Sequence, residues 1–119
     1  MARIFIVDDS PTEVHVLKTI LEKNGHSVES ADNAEAGIAA ITEKKPALVL
    51  MDVVMPGMNG FQATRALTKA PETENIPIII VTTKDQETDK MWGLRQGAKD
   101  YITKPVDEAI LIEKINSIL

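Results

Sequence analysis

The chain has 119 residues, 44% of them hydrophobic and 26% charged, with a formal net charge of −5 and no cysteine. That length suits one domain with its own core, and that composition does not suit disorder. An acidic balance without a Lys/Arg cluster argues against nucleic-acid binding, the lack of cysteine excludes disulfides and thiolate metal sites, and no apolar stretch approaches the ~18 residues of a membrane span.

Ile4-Phe5-Ile6-Val7 reads as a strand and runs straight into Asp8-Asp9. The run is too short for the apolar core of a signal peptide, so a soluble cytoplasmic protein is expected. Ser10-Pro11-Thr12-Glu13 has the capping-box pattern, with Pro at the first helical position. Val14, Leu17, Ile20 and Leu21 form one apolar stripe behind it, and Gly25 ends this first helix. A short strand is expected near His26 to Ser30. Asn33 caps a second helix in which Ala34, Ile38 and Ile41 face inward. Pro46 separates that helix from Leu48-Val49-Leu50-Met51, a third strand ending at Asp52. Met55-Pro56-Gly57-Met58-Asn59-Gly60 is a turn-rich loop whose Pro and two glycines let the backbone approach a ligand closely. Gly60 starts a third helix carrying Phe61, Thr64 and Leu67. Pro71 and Pro77 bracket the approach to Ile78-Ile79-Ile80-Val81, a fourth strand running into Thr82-Thr83. A fourth helix is expected from about Gln86 to Gln96, stopped by Gly97. Tyr101-Ile102-Thr103 leads into Lys104-Pro105, and Asp107 caps a last helix with Leu111, Ile115 and Ile118 on its buried stripe.

Strands and helices therefore alternate five times, which predicts an α/β domain with a parallel sheet. Residues 1–119 are expected to form one domain, without repeat, linker or second domain. In an open parallel sheet, ligands bind outside the carboxyl ends of the strands. Three carboxylates, a hydroxyl and an ammonium would meet at that edge.

Asp8, Asp9 and Asp52 would repel one another there, by about 1 kcal/mol per close pair in water and about 4 at an effective dielectric of 20. A divalent cation relieves this, and an all-oxygen site suits Mg²⁺ or Mn²⁺. The alternative, that Asp8-Asp9 caps the first helix, is met by Ser10 filling that place. Asp52 closes the most apolar strand, where a carboxylate is costly unless paired or used. Carboxylates can attack phosphorus to give an aspartyl phosphate. Thr82 can donate to a phosphoryl oxygen, and its neighbour Thr83 could do the same, since sequence alone does not say which points inward. Lys104 supplies a charge partner, on an X-Pro bond that can be cis at a tight turn. Tyr101 is either core or a rotameric sensor. Trp92, the only tryptophan, is either a core plug, the commoner fate, or an exposed contact.

Together, Val7-Asp8-Asp9-Ser10, Leu50-Met51-Asp52, Met55 to Gly60, Val81-Thr82 and Lys104-Pro105 resemble the receiver domain of two-component response regulators, over the whole chain. The resemblance implies a flavodoxin-like (βα)5 fold with strand order 2-1-3-4-5. It implies that Asp52 is the phosphoacceptor and that Asp9, Asp52 and the backbone carbonyl of Val54 ligate Mg²⁺, with Asp8 acting mainly through water. It also implies that Lys104 binds the phosphoryl group, that Thr82 moves toward it, and that Tyr101 swings inward in the active state. A face of the fourth helix, fifth strand and fifth helix would then change its affinity for partners.

Stretches such as Gly60 to Arg65, Thr82 to Lys90, Arg95-Gln96-Gly97-Ala98 and Thr103 to Glu108 are similar to single-domain regulators of type IV pilus twitching motility. That similarity implies a chemotaxis-like sensor histidine kinase as phosphodonor, a downstream pilus-regulating protein, and a monomer that binds neither nucleic acid nor membrane. Val54 and Lys84 depart from the flagellar chemotaxis regulators, which carry a polar and an acidic residue there. Both would flank the path of the hydrolytic water and set the dephosphorylation rate. A phosphate sink or relay without its own output shares every site residue. A Mg²⁺-dependent phosphatase with an aspartate nucleophile would want an acid two residues beyond Asp52, where Val54 stands. A flavin module is disfavoured, with aromatics at 3%. The expected protein is a phosphorylation-controlled interaction module and not an enzyme in the usual sense.

Overall fold

The computed structural model describes residues 1–119. Five strands, β1 (Arg3–Val7), β2 (Ser27–Ala31), β3 (Leu48–Met51), β4 (Ile78–Thr82) and β5 (Asp100–Thr103), alternate with five helices. These are α1 (Pro11–Lys23), α2 (Ala34–Lys44), α3 (Gly60–Lys69), α4 (Glu87–Arg95) and α5 (Glu108–Ile118). All strand pairs are parallel, in the order β2-β1-β3-β4-β5. No helix is long and apolar enough to cross a membrane.

Side-chain alternation along the strands divides the core between the two faces. Ile4, Ile6, Leu48, Leu50, Ile79 and Val81 point to one face, where Leu17 and Leu21 of α1 and Leu111 and Ile115 of α5 cover them. Phe5, Val7, Val49, Met51 and Ile78 point to the other, under α2 and α3. A smaller cluster of Val53, Ile80, Ala98 and Tyr101 fills the space toward α4. Within α4 only Gly93 is buried, packed against Ile80 and Tyr101.

Register positions the site. Val7 pairs with Met51, and the Asp52 N–H donates to the Val7 carbonyl at 2.9 Å, so Asp8 and Asp52 leave adjacent strands together. Thr82 pairs with Thr103, and the Lys104 N–H donates to the Thr82 carbonyl at 2.8 Å. Pairing of β3 with β4 brings the two halves to one edge.

Four details differ from the sequence reading. β2 lies one residue later, at Ser27–Ala31, because it takes its register from β1 through the Arg3–Ser27 pair. The α4 helix is a residue shorter at each end, with Gln86 and Gln96 as its caps. At α1, Ser10 accepts from the Glu13 N–H at 3.3 Å, but the reciprocal half of the box is missing. The Ser10 N–H donates instead to Asp8 Oδ1 at 2.9 Å, which leaves the Glu13 carboxylate free to turn toward Lys104. Finally, Trp92 is 49% exposed, because Gly93 and not its neighbour faces the sheet.

Candidate functional site

At the carboxyl edge of the sheet, ligand oxygens of Asp8, Asp9 and Asp52 lie within 4.8 Å of one another. Asp8 and Asp52 are buried and Asp9 is exposed. Asp8 is held at its Oδ1 by the Ser10 N–H and at its Oδ2 by Lys104 Nζ, 2.8 Å away. The Asp52 Oδ1 accepts from the Val53 N–H at 2.7 Å, and its Oδ2 lies 3.6 Å from Lys104 Nζ. Glu13 Oε1 approaches the same ammonium at 4.0 Å. One cation thus faces three carboxylates, with Asp9 a fourth acid in the same cluster.

Burial and these charges together shape the titration of the site. Burial pushes the Asp52 carboxyl above its usual range; Lys104 opposes the shift, Asp8 adds to it, and the Thr82 hydroxyl and Val53 amide oppose it. Burial alone would lower the Lys104 ammonium. The hydrogen bond to Asp8 and the charges of Asp52, Asp8 and Glu13 outweigh it and hold the group above its ordinary value. Lys104 is therefore fully charged at neutral pH, yet one ammonium does not neutralise the cluster. An all-oxygen set of hard donors with excess negative charge fits Mg²⁺ or Mn²⁺. The cluster itself contains neither histidine nor cysteine.

Of the two threonines, Thr82 is the one turned inward. Thr82, the last residue of β4, is fully buried, while Thr83 is exposed. The Lys84 N–H donates to Thr82 Oγ1 at 3.5 Å. Tyr101 sits inward, 8% exposed, with its hydroxyl donating to the Lys84 carbonyl at 2.8 Å. The β4–α4 segment is thereby tied to both Thr82 and Tyr101. Lys104-Pro105 is a cis bond. Val54 lies two residues beyond Asp52 and is 57% exposed, and Lys84 pairs with Asp89 at 3.6 Å.

Two participants have a role here beyond the one their local sequence signals. Glu13 was read only as a capping residue, and nothing local signals its approach to Lys104 across ninety-one positions of chain (104 − 13). Gly60 was read as a helix start. It also packs so closely that a Cβ there would overlap the Asp52 carbonyl oxygen. The Asn59-Gly60 pair at a helix start was the available signal, since Asn59 alone suffices as cap through its reciprocal bonds with Gln62.

Residues 4–116 match the response regulator receiver domain family. The chain belongs to that family. It is 65% identical over 119 residues to Protein PilH of Pseudomonas aeruginosa, covering all of this chain and 98% of that protein. It is 36% identical over 117 residues to the response regulator PleD of Caulobacter vibrioides, covering 98% of this chain and 26% of the much longer PleD. Among solved structures, the chemotaxis protein CheY4 of Vibrio cholerae superposes with a TM-score of 0.92 at 27% identity, over 100% of this chain and 99% of that one. The receiver domain of a signal transduction histidine kinase from Syntrophus aciditrophicus gives 0.91 at 34% identity, over 100% and 90% of the two chains. The receiver fold and strand order implied by the sequence are those found. Receiver domains act with histidine kinases and downstream effectors, and bind Mg²⁺ at an acidic pocket of this kind.

Proposed function

We propose that Asp52 is the phosphoacceptor of a single-domain response regulator comprising residues 1–119. The supporting observation is the pairing of a buried, partly shielded carboxylate with Lys104 at the focus of the acidic cluster. The Val53 amide fixes Oδ1, so Oδ2 is the oxygen free to attack. It displaces a phosphohistidine's imidazole: a P–O bond forms, the P–N bond breaks, and the leaving nitrogen takes a proton. Bound Mg²⁺, held by Asp9, Asp52 and the Val54 carbonyl, with Asp8 through water, would neutralise charge on the transferring group. Lys104 then pairs with the new phosphoryl oxygens, and Thr82 donates its hydroxyl to one of them. The Lys84 segment and Tyr101 follow Thr82, which biases the surface near α4.

The full-length similarity to PilH supports a role in type IV pilus twitching motility, with a chemotaxis-like histidine kinase as donor and a pilus-regulating protein downstream. Val54 in place of an acid speaks against a phosphatase. Asp52→Asn tests the central assignment. Incubated with radiolabelled sensor kinase and Mg²⁺, the native chain takes label and the variant does not; label on the variant would sink the reading. A phosphotransfer time course with and without this protein separates effector from phosphate sink.

A further inference from the structure

The outer surface of α3 and α4 carries a cleft of about 450 Å³, lined by Phe61, Arg65, Trp92 and Gln96 among others. A second hollow of about 220 Å³ continues it along α4 past Met91 and Arg95, with Trp92 shared between the two. Trp92, Met91 and Leu94 are 49%, 61% and 48% exposed. Met91, Trp92 and Arg95 recur at helical spacing on one stripe of α4. Met91 and Trp92 thus stand exposed side by side along these hollows, as at a contact surface, while Leu94 lines neither.

Charge says what kind of partner. The chain as a whole is acidic, at −5. Yet α3 contains no acidic residue and carries Arg65 and Lys69, and the α4 stripe adds Arg95. The acids of α4, Glu87 and Asp89, lie in its first turn, where Asp89 pairs with Lys84. The groove is thus a cationic, aromatic strip on an anionic molecule, and a partner must be complementary in both respects.

Backbone chemistry narrows it further. The groove lies between two helices, whose backbone groups bond within themselves, and it borders no strand edge. Its floor is a side-chain seam: Thr68 Oγ1 donates to the Gln96 carbonyl at 2.9 Å and Arg65 Nη1 donates to Gln96 Oε1 at 3.5 Å. An extended peptide would find no ladder to join and would leave its own amides unpaired. A helix satisfies its backbone internally and presents an apolar stripe.

We propose that the α3–α4 groove docks an acidic amphipathic helix of a partner protein, with Trp92 as the apolar anchor and Arg65 and Arg95 as the charge contacts. This surface is separate from the phosphoacceptor pocket, and binding is read without any phosphodonor, so failure here leaves the Asp52 assignment untouched.

The probe is a synthetic helix with leucine along one face and glutamate on the other, compared with a counterpart in which lysine replaces glutamate. Trp92, the only tryptophan, reports contact by its emission, and backbone amide shifts map the site. We expect saturable binding of the acidic helix, with shifts confined to α3 and α4, and at least about tenfold weaker binding of the basic one. Trp92→Ala should weaken the acidic helix about thirtyfold, read by anisotropy of labelled peptide. Arg65→Glu with Arg95→Glu should invert the preference, and Arg65→Lys with Arg95→Lys should retain it. All three positions altered lie on exposed helix faces, and thermal melts confirm folding. Absence of saturable binding, equal affinity for both helices, or shifts centred elsewhere would overturn the proposal. So would the same Trp92 response to anionic vesicles alone, or to rising concentration of the chain itself.

Discussion

Gly60→Ala is the substitution that most directly tests how the fold holds Asp52. A Cβ at this position would overlap the Asp52 carbonyl oxygen and stand 2.7 Å from the Asp52 carbonyl carbon and 2.8 Å from Val53 Cα. All three are backbone atoms, and the Val53 carbonyl accepts from the Gly60 N–H at 3.0 Å, so no side chain can swing aside. Reaching ordinary contact requires α3 to retreat by roughly 1 Å. That movement loosens the buried Thr64 and Leu67, the latter part of the core under α2 and α3. Overpacking costs about 1–3 kcal/mol and partial loss of core contacts adds to it, whereas Gly→Ala in a helix gains at most about 1. A net loss of about 2–3 kcal/mol in urea unfolding is expected, together with slower phosphorylation by acetyl phosphate, because the Asp52 main chain moves. Gly25→Ala is the control: a Cβ there meets nothing within 4 Å, and only its φ of +89° is strained. It should cost about 1–2 kcal/mol and leave phosphorylation unchanged. A Gly60→Ala protein as stable and as readily phosphorylated as the native chain would refute the reasoning.

Three further outcomes are expected. Burial, followed by the charges of Asp89, Asp52 and Asp85, pushes the Tyr101 phenol up to about 12. Its folded value lies above the unfolded one, so its contribution to stability is complete below about pH 10 and is lost as pH rises toward 12. With one tyrosine in the chain, ultraviolet titration of tyrosinate reads this group alone, and a midpoint near 10 in the folded protein would contradict it. Val54→Asn with Lys84→Glu should change the lifetime of the acyl phosphate proposed at Asp52; identical decay curves reject a role for these two positions. Ser10→Ala should cost about 1 kcal/mol through the lost cap, while Glu13→Ala should leave the cap intact and act only through Lys104, which paired denaturation and phosphorylation measurements distinguish.

Much of the site is legible in the sequence alone. Asp8, Asp9, Asp52, Thr82 and Lys104 each follow an apolar run, and a parallel sheet brings such positions to one edge. Alternation, caps and helix stops are local, so the ten elements could be placed to within a residue or so, as at Asn33, Asp107 and Gly97. Choices between neighbours were not legible. Thr82 over Thr83, the inward ring of Tyr101, and the exposure of Trp92 depend on which side of a strand or helix faces the sheet.

By itself the chain's order of residues determined the alternating architecture, the identity of the acidic pocket and its lysine, and membership of the receiver family. Those follow from periodicity and from residue chemistry, both carried by short stretches. Folding in three dimensions determined that Lys104 rests on Asp8 more closely than on Asp52, that Glu13 joins them, that Gly60 braces the Asp52 backbone, and that a cationic aromatic groove opens between α3 and α4. Each of these is a contact between segments far apart in the chain, set by strand register and helix packing, and no local pattern encodes it.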